Sequence, residues 1–153
     1  MIRLATSNDA AAITHLVNTA FEVEAFFKIG DRTDSDEVLE LMRTGEFLLY
    51  QDTAGIAGCL YLKIDAEGHA YFGMLSIDPG RQGKGIGRTL IDAAETRSRD
   101  RGCRHMDIHI VNLREELFPF YRKFGYVEQG TLPFPSPERA SRPCHFIVMR
   151  KPL

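Results

Sequence analysis

Apolar and polar positions change period several times along the chain. Residues 2–5 read as a short strand, with apolar Ile2 and Leu4 on either side of Arg3, and Thr6 and Ser7 behind it suit the cap of a helix. Ile13, Leu16, Val17 and Ala20 recur at the i, i+3, i+4, i+7 spacing of one buried helical stripe. A second helix is expected from about Ser35, with Val38, Leu39, Leu41 and Met42 inside and Gly45 just past its end. The segment between them, 21–34, is aromatic and acidic and has no period. Residues 46–51, 56–64 and 70–77 then read as strands. Their connections are short and rich in turn formers, which predicts an antiparallel meander. Residues 78–83 form a loop, and a helix follows from 84 to about 101 with Ile86, Leu90, Ala93 and Ala94 on one face.

In residues 106–111 the apolar Met106, Ile108 and Ile110 alternate with Asp107 and His109, the mark of a strand. Strand, crossover helix and strand in this spacing imply a parallel, right-handed unit. A short helix around 117–124 ends at Gly125. Two last strands, about 126–131 and 145–149, flank a proline-rich loop. The order is βααβββαβαββ, an α/β fold with a mixed central sheet, and residues 1–153 read as one domain.

Composition narrows the function. Hydrophobic residues make up 44% and charged residues 26%, the mix of a globular protein. A net charge of −2 argues against a dedicated nucleic-acid binder. Arg97, Arg99 and Arg101 read as the solvated, dipole-complementing end of a helix. No apolar run is long enough for a membrane span, and no signal-peptide core opens the chain. Three widely spaced cysteines suit free thiols in the cytoplasm.

The chemistry lies in the loop Asp78-Pro79-Gly80-Arg81-Gln82-Gly83-Lys84-Gly85-Ile86-Gly87-Arg88, between a strand end and a helix start. Alternating glycines remove side chains where a ligand must approach the backbone. The unpaired N–H groups of the first helical turn and the positive end of the dipole suit a pyrophosphate. The spacing matches neither the Walker loop, because Lys84 is followed by Gly85, nor the dinucleotide fingerprint GxGxxG.

Gln82-Gly83-Lys84-Gly85-Ile86-Gly87 resembles the acyl-CoA signature (Q/R)-x-x-G-x-(G/A) of the GNAT N-acetyltransferases. Met74-Leu75-Ser76-Ile77-Asp78-Pro79 is similar to that family's fourth strand and its exit. Phe120-Tyr121-Arg122-Lys123-Phe124-Gly125-Tyr126 is similar to its helix and strand near the cofactor sulfur, and the element order agrees throughout. The resemblance implies acetyl transfer from acetyl-CoA, as co-substrate and without a metal, to a primary amine of a small molecule or peptide. Leu75, Ser76 and Ile77 would pair with the pantetheine arm through their backbones. Gln82, Gly83, Lys84, Gly85, Ile86, Gly87 and Arg88 would hold the pyrophosphate, with Arg122 and Lys123 as further phosphate contacts. Asn112 would touch the pantetheine, and Tyr121 would protonate the leaving thiolate. The partners implied are acetyl-CoA and an amine, with no nucleic acid or membrane; a homodimer is left open.

One position departs from the family. The glutamate that many members carry on the fourth strand is Gly73 here, and glycine cannot be a base. An ammonium of pKa ~10 costs about 4 kcal/mol to deprotonate at pH 7, so help is expected. Glu22 and Glu24 are the substitutes, and Glu24 is taken as catalytic. Phe21, Glu22, Glu24, Phe26, Phe27 and the loop Phe134-Pro135-Ser136-Pro137 are expected to line the acceptor side. Their acidity points to a cationic amine and their aromatics to an apolar body. The missing glutamate leaves a non-catalytic acyl-CoA-binding module as the alternative. His105 and His109 stand ~13 Å apart on a strand, too far to share a metal.

Overall fold

Seven strands lie in one mixed sheet, ordered β1-β2-β3-β4-β5-β7-β6. The computed structural model describes all 153 residues. In chain order the elements are β1 (Ile2–Leu4), α1 (Ala10–Ala20), α2 (Ser35–Thr44), β2 (Glu46–Asp52), β3 (Gly55–Ile64), β4 (Ala70–Ile77), α3 (Ile86–Asp100), β5 (His105–Val111), α4 (Leu117–Arg122), β6 (Val127–Pro133) and β7 (His145–Pro152). This is the expected order. No helix is long and apolar enough to cross a membrane.

Several boundaries move for local reasons. α1 starts at Ala10 because Ser7–Asp9 form a 3-10 turn, closed by the Thr6 N–H donating to Asp9 Oδ2 at 2.8 Å. The same carboxylate accepts two 2.9 Å bonds from Arg3, so one acid organises both the strand and the helix start. The segment without a period contains a 3-10 helix, Phe21–Phe26. In α2, Val38 is fully buried while Leu39 is 39% exposed. At 100° per residue the two cannot share the narrow stripe that a short helix presents. The expected inward Leu39 is thus corrected.

Two cores sit on opposite faces of the sheet. Leu90 and Ile91 of α3 pack with Leu60, Phe72, Met106, Ile108 and Met149 on one face. Ile13 and Val17 of α1 and Val38 of α2 pack with Phe47, Leu49 and Tyr61 on the other. Each such side chain contributes about 1.5–3 kcal/mol by leaving water.

β4 serves both cores. Between the pairs Tyr61↔Gly73 and Cys59↔Ser76, β4 holds one residue more than β3. That β-bulge puts Met74 at φ 53. Ala70 and Phe72 pack with α3, whereas Met74 packs with α1. The Met74 carbonyl accepts from the Ser76 hydroxyl at 3.0 Å and from the Cys59 thiol at 3.8 Å, which anchors the bulge.

β4 and β5 run parallel but pair only at Ala70↔Met106 and Tyr71↔Asp107. β5 then follows β7 along its full length, from His105↔Pro152 to Val111↔Phe146. The sheet therefore splays beyond Tyr71. The edge of β4 that faces β5 is left without a partner strand from there to Ile77.

Candidate active site in the splay of the sheet

The splay opens into a cavity of about 810 Å³, walled by β4, β5, α3, α4, the 3-10 segment after α1 and the loop between β6 and β7. At its β4 exit, Asp78 Oδ1 accepts from the Gly80 N–H at 3.0 Å and starts the turn Pro79–Arg81. Gly83 (φ 80) and Gly85 (φ 77) then take left-handed backbone that a β-branched residue would resist. Gly85 is the N-cap of α3, and its carbonyl accepts both the N–H of Thr89 at 3.0 Å and its hydroxyl at 2.9 Å. A β-carbon added at Gly83, Gly85 or Gly87 would meet nothing within 4 Å, so the loop presents bare backbone to open space. With the free N–H groups of the first α3 turn and the helix dipole, this cradle fits a pyrophosphate.

Gln82, Gly83, Gly85, Ile86, Gly87 and Arg88 of the expected phosphate set line the cavity, and Lys84 does not. The Arg88 guanidinium lies 5.1 Å over the Phe124 ring. Arg122 pairs with Glu128, and Arg81 with Asp52. Leu75 and Ile77 lie on the wall, whereas Ser76 is buried at 1% exposure, its hydroxyl on the bulge. Asn112 is not on the wall. Its Oδ1 accepts the His145 N–H at 2.8 Å, and its own N–H donates to the His145 carbonyl at 2.9 Å. The side chain thereby extends the β5–β7 ladder.

Tyr121 on α4 lines the cavity and is 6% exposed, its ring 6.2 Å from that of Phe72 and 5.0 Å from that of Phe120. Burial pushes its phenol well above the usual range, with Arg114 acting against the shift. It is therefore a protonated donor at neutral pH. Tyr126, from the same motif, is instead core: its hydroxyl donates to Glu95 Oε2 at 2.8 Å, and Lys151 Nζ approaches the same carboxylate at 2.9 Å.

The position of the missing glutamate is filled from its own strand. A β-carbon on Gly73 would lie 2.5 Å from the Tyr71 hydroxyl oxygen. The Tyr71 ring packs 4.7 Å from His109, and His109 packs 5.6 Å from Phe146. By register His109 is level with Gly73, two residues past the last pair, Tyr71↔Asp107. His109 lines the cavity, and burial lowers its pKa below the ordinary 6.5 against the pull of Asp107, so the ring is neutral at pH 7. The alternation of Met106, Ile108 and Ile110 places His109 on the opposite face of β5, but only the splay gives it a cavity to face.

The part of the cavity expected to receive an acceptor differs from its expected character. Phe21, Glu24, Phe134, Pro135 and Ser136 line it, while Glu22, Phe26, Phe27 and Pro137 do not. Glu24 is 5% exposed, with Oε2 at 2.8 Å from Arg114 Nη1 and Oε1 at 3.8 Å from Lys28 Nζ. Lys28, Arg32, Arg114 and Arg139 face the same space, against the carboxylates of Glu24 and Glu37. The expectation of an acidic pocket for a cationic amine is thus overturned. The acids were legible in one segment, but two of the four cations come from segments far along the chain.

Residues 11–126 match the Acetyltransferase (GNAT) family. Over 85 residues, 52% of this chain, the sequence is 31% identical to the mycothiol acetyltransferase of Propionibacterium freudenreichii, of which the match spans only 27%. The fold is similar to that of a ribosomal-protein-alanine N-acetyltransferase from Brucella melitensis, at 21% identity and TM-score 0.79, over 100% of this chain and 99% of that one. It is also similar to yncA from Salmonella typhimurium, solved with its cofactor acetyl-CoA, at 20% identity and TM-score 0.76, over 100% of this chain and 93% of that one.

Proposed function

Because the chain belongs to the GNAT acetyltransferase family, we propose that residues 1–153 act as one domain that transfers an acetyl group from acetyl-CoA directly to a primary amine. The observation that carries this reading is the unpaired edge of β4, which runs into the glycine loop and shares one cavity with Tyr121. Acetyl-CoA supplies an acetyl group activated as a thioester. The backbone groups of Leu75, Ser76 and Ile77 hold the pantetheine amides as a neighbouring strand would. The amides of Gly83 to Arg88 hold the pyrophosphate, and Arg88 adds its charge to the outer phosphates.

Two protons must move as the C–N bond forms and the C–S bond breaks. Tyr121 gives its proton to the departing sulfur. A phenol with no hydrogen-bond partner in the protein can turn toward the thiolate as charge builds there. On the amine side Glu24, Glu37 and His109 are the acceptors on the cavity wall, and Oε1 of Glu37 faces Arg32 at 3.9 Å and accepts the Thr33 hydroxyl. Both oxygens of Glu24 face cations, at 2.8 and 3.8 Å. His109 is neutral, on the cavity wall and level with Gly73. His109 therefore takes the proton that nitrogen sheds, and Glu24 acts by holding Arg114 and Lys28 in place.

The test is a screen of amines, amino acids and peptides for thiol release from acetyl-CoA. Release that depends on an amine, with matching N-acetylated product, supports the proposal. Tight acetyl-CoA binding without release by any amine would leave the non-catalytic module as the reading.

A further inference from the structure

Resting on that reading, we infer that the acceptor amine also carries an anionic oxygen group, a carboxylate or a phosphate, seated by Lys28, Arg32 and Arg139 on the cavity wall that the segment after α1 and the β6–β7 loop form together. The fold builds this cluster from two distant segments. Lys28 and Ala140 form an isolated antiparallel bridge. The Ile29 N–H donates to the Arg139 carbonyl at 2.7 Å, and the Ser141 N–H to the Phe27 carbonyl at 2.7 Å. The backbone just after the 3-10 helix is thereby stapled to the β6–β7 loop, and Lys28 and Arg139 are brought to one wall. Arg139 is braced by a 2.5 Å bond from Nη2 to the Asp31 carbonyl, and Arg32 stacks 5.4 Å over Phe21.

These cations are short of counter-charge. Arg139 has no carboxylate partner, and Arg32 is 3.9 Å from Glu37, whose same oxygen also accepts the Thr33 hydroxyl. Lys28 is 3.8 Å from Glu24, a carboxylate already held at 2.8 Å by Arg114. The Lys28 side chain is only 11% exposed, so water screens its neighbours poorly. Burial first, and then Arg32, hold its pKa down at about 8, with Arg139 adding to the shift. Like charges crowded in a cavity favour an incoming oxyanion, which two guanidinium forks and an ammonium are shaped to bind.

The seat shares one cavity with the transfer centre: Lys28, Arg32 and Arg139 line it together with Gly73 and Tyr71, whose hydroxyl lies 2.5 Å from where a Gly73 β-carbon would be. The oxyanion and the amine therefore belong to one compact acceptor, as in an amino acid or an aminoalkyl phosphate. The aromatic wall of Phe21, Phe134 and Phe146 suits an apolar body beside them.

The experiment compares acceptors that differ only in the anion. Phenylalanine is set against phenethylamine, and phosphoethanolamine against ethanolamine, with thiol release from acetyl-CoA as the readout. The charged member of at least one pair is expected to have a kcat/KM about 10- to 100-fold higher, the scale of one or two charge-assisted bonds. Which pair shows the gap tells carboxylate from phosphate. Lys28→Met and Arg139→Gln are each expected to narrow that ratio several-fold through KM. Equal rates within both pairs, or ratios unchanged in both variants, would overturn the inference while leaving acetyl transfer standing. If no amine is turned over, acetyl transfer fails and the seat is judged by binding alone. Calorimetry with CoA present would then compare N-acetylphenylalanine with N-acetylphenethylamine, and phosphoethanolamine with ethanolamine. A charged member that binds more tightly, by an amount that Lys28→Met reduces, supports the seat; equal binding in both pairs, or none, overturns it.

Discussion

The Tyr71 hydroxyl stands 2.5 Å from where a β-carbon on Gly73 would be, so this tyrosine occupies the start of the path a strand carboxylate would take. The same ring buttresses His109, 4.7 Å away, and burial keeps that imidazole neutral at pH 7. If His109 accepts the amine proton, it works only while unprotonated. Its pKa is held below 6.5, so activity is retained at neutral pH and lost as the pH falls below that value. His109→Gln is expected to lower kcat/KM by about 10²-fold at pH 7.5. The acceptor's own ionisation acts equally on parent and variant, so the ratio of their pH profiles isolates His109. That ratio is expected to fall toward one at acid pH, and a ratio flat from pH 5 to 9 removes His109 from the chemistry.

The glycine loop contains two kinds of glycine. Gly85 sits at φ 77, so Gly85→Val distorts the turn and the start of α3 whatever is bound. Gly87 lies within the helix at an ordinary φ, with open space where its β-carbon would point. Gly87→Val is therefore the cleaner probe: cofactor affinity should fall at least about tenfold, while melting changes little, because valine is no worse a helix former than glycine. Calorimetric titration with acetyl-CoA and a thermal melt check both.

Behind the site, Glu95 joins α3 to β7 and the buried Tyr126. It is 2% exposed and accepts from the Tyr126 hydroxyl at 2.8 Å and from Lys151 Nζ at 2.9 Å. Glu95→Ala strands a buried hydroxyl and an ammonium. The expected loss is about 3 kcal/mol, the low end for a broken buried pair, because Lys151 is 24% exposed and can turn to solvent. For a chain of this size that lowers Tm by about 10 °C. Glu95→Gln keeps an acceptor for Tyr126 and should lose less. Denaturant melts of the two variants give the comparison.

Much of this was legible in the sequence because it is local. The glycine loop at a strand-to-helix junction could be read from neighbouring residues, and each strand and helix from its own period. The bulge at Met74 could not. Burial alternates without a break along β4, and the change of face appears only when Tyr61↔Gly73 and Cys59↔Ser76 are paired across strands. Asn112 reads as a free amide until His145, from the last strand, takes its oxygen. Glu24 reads as a free base until Arg114, ninety positions on, takes one of its oxygens. The charge of the acceptor end was missed for the same reason, since Arg114 and Arg139 reach it only through the tertiary fold.

Tyr121 carries the central claim, that the splay between β4 and β5 performs acetyl transfer. Tyr121→Phe keeps the ring against Phe72 and Phe120 and removes only the hydroxyl, which has no hydrogen-bond partner in the protein. With the preferred acceptor, kcat is expected to fall by about 10²-fold or more, while acetyl-CoA Kd and Tm stay near those of the parent. The deciding measurement is kcat of Tyr121→Phe at saturating acetyl-CoA and amine. A hundredfold loss is the predicted result, and a kcat within about twofold of the parent would contradict the account.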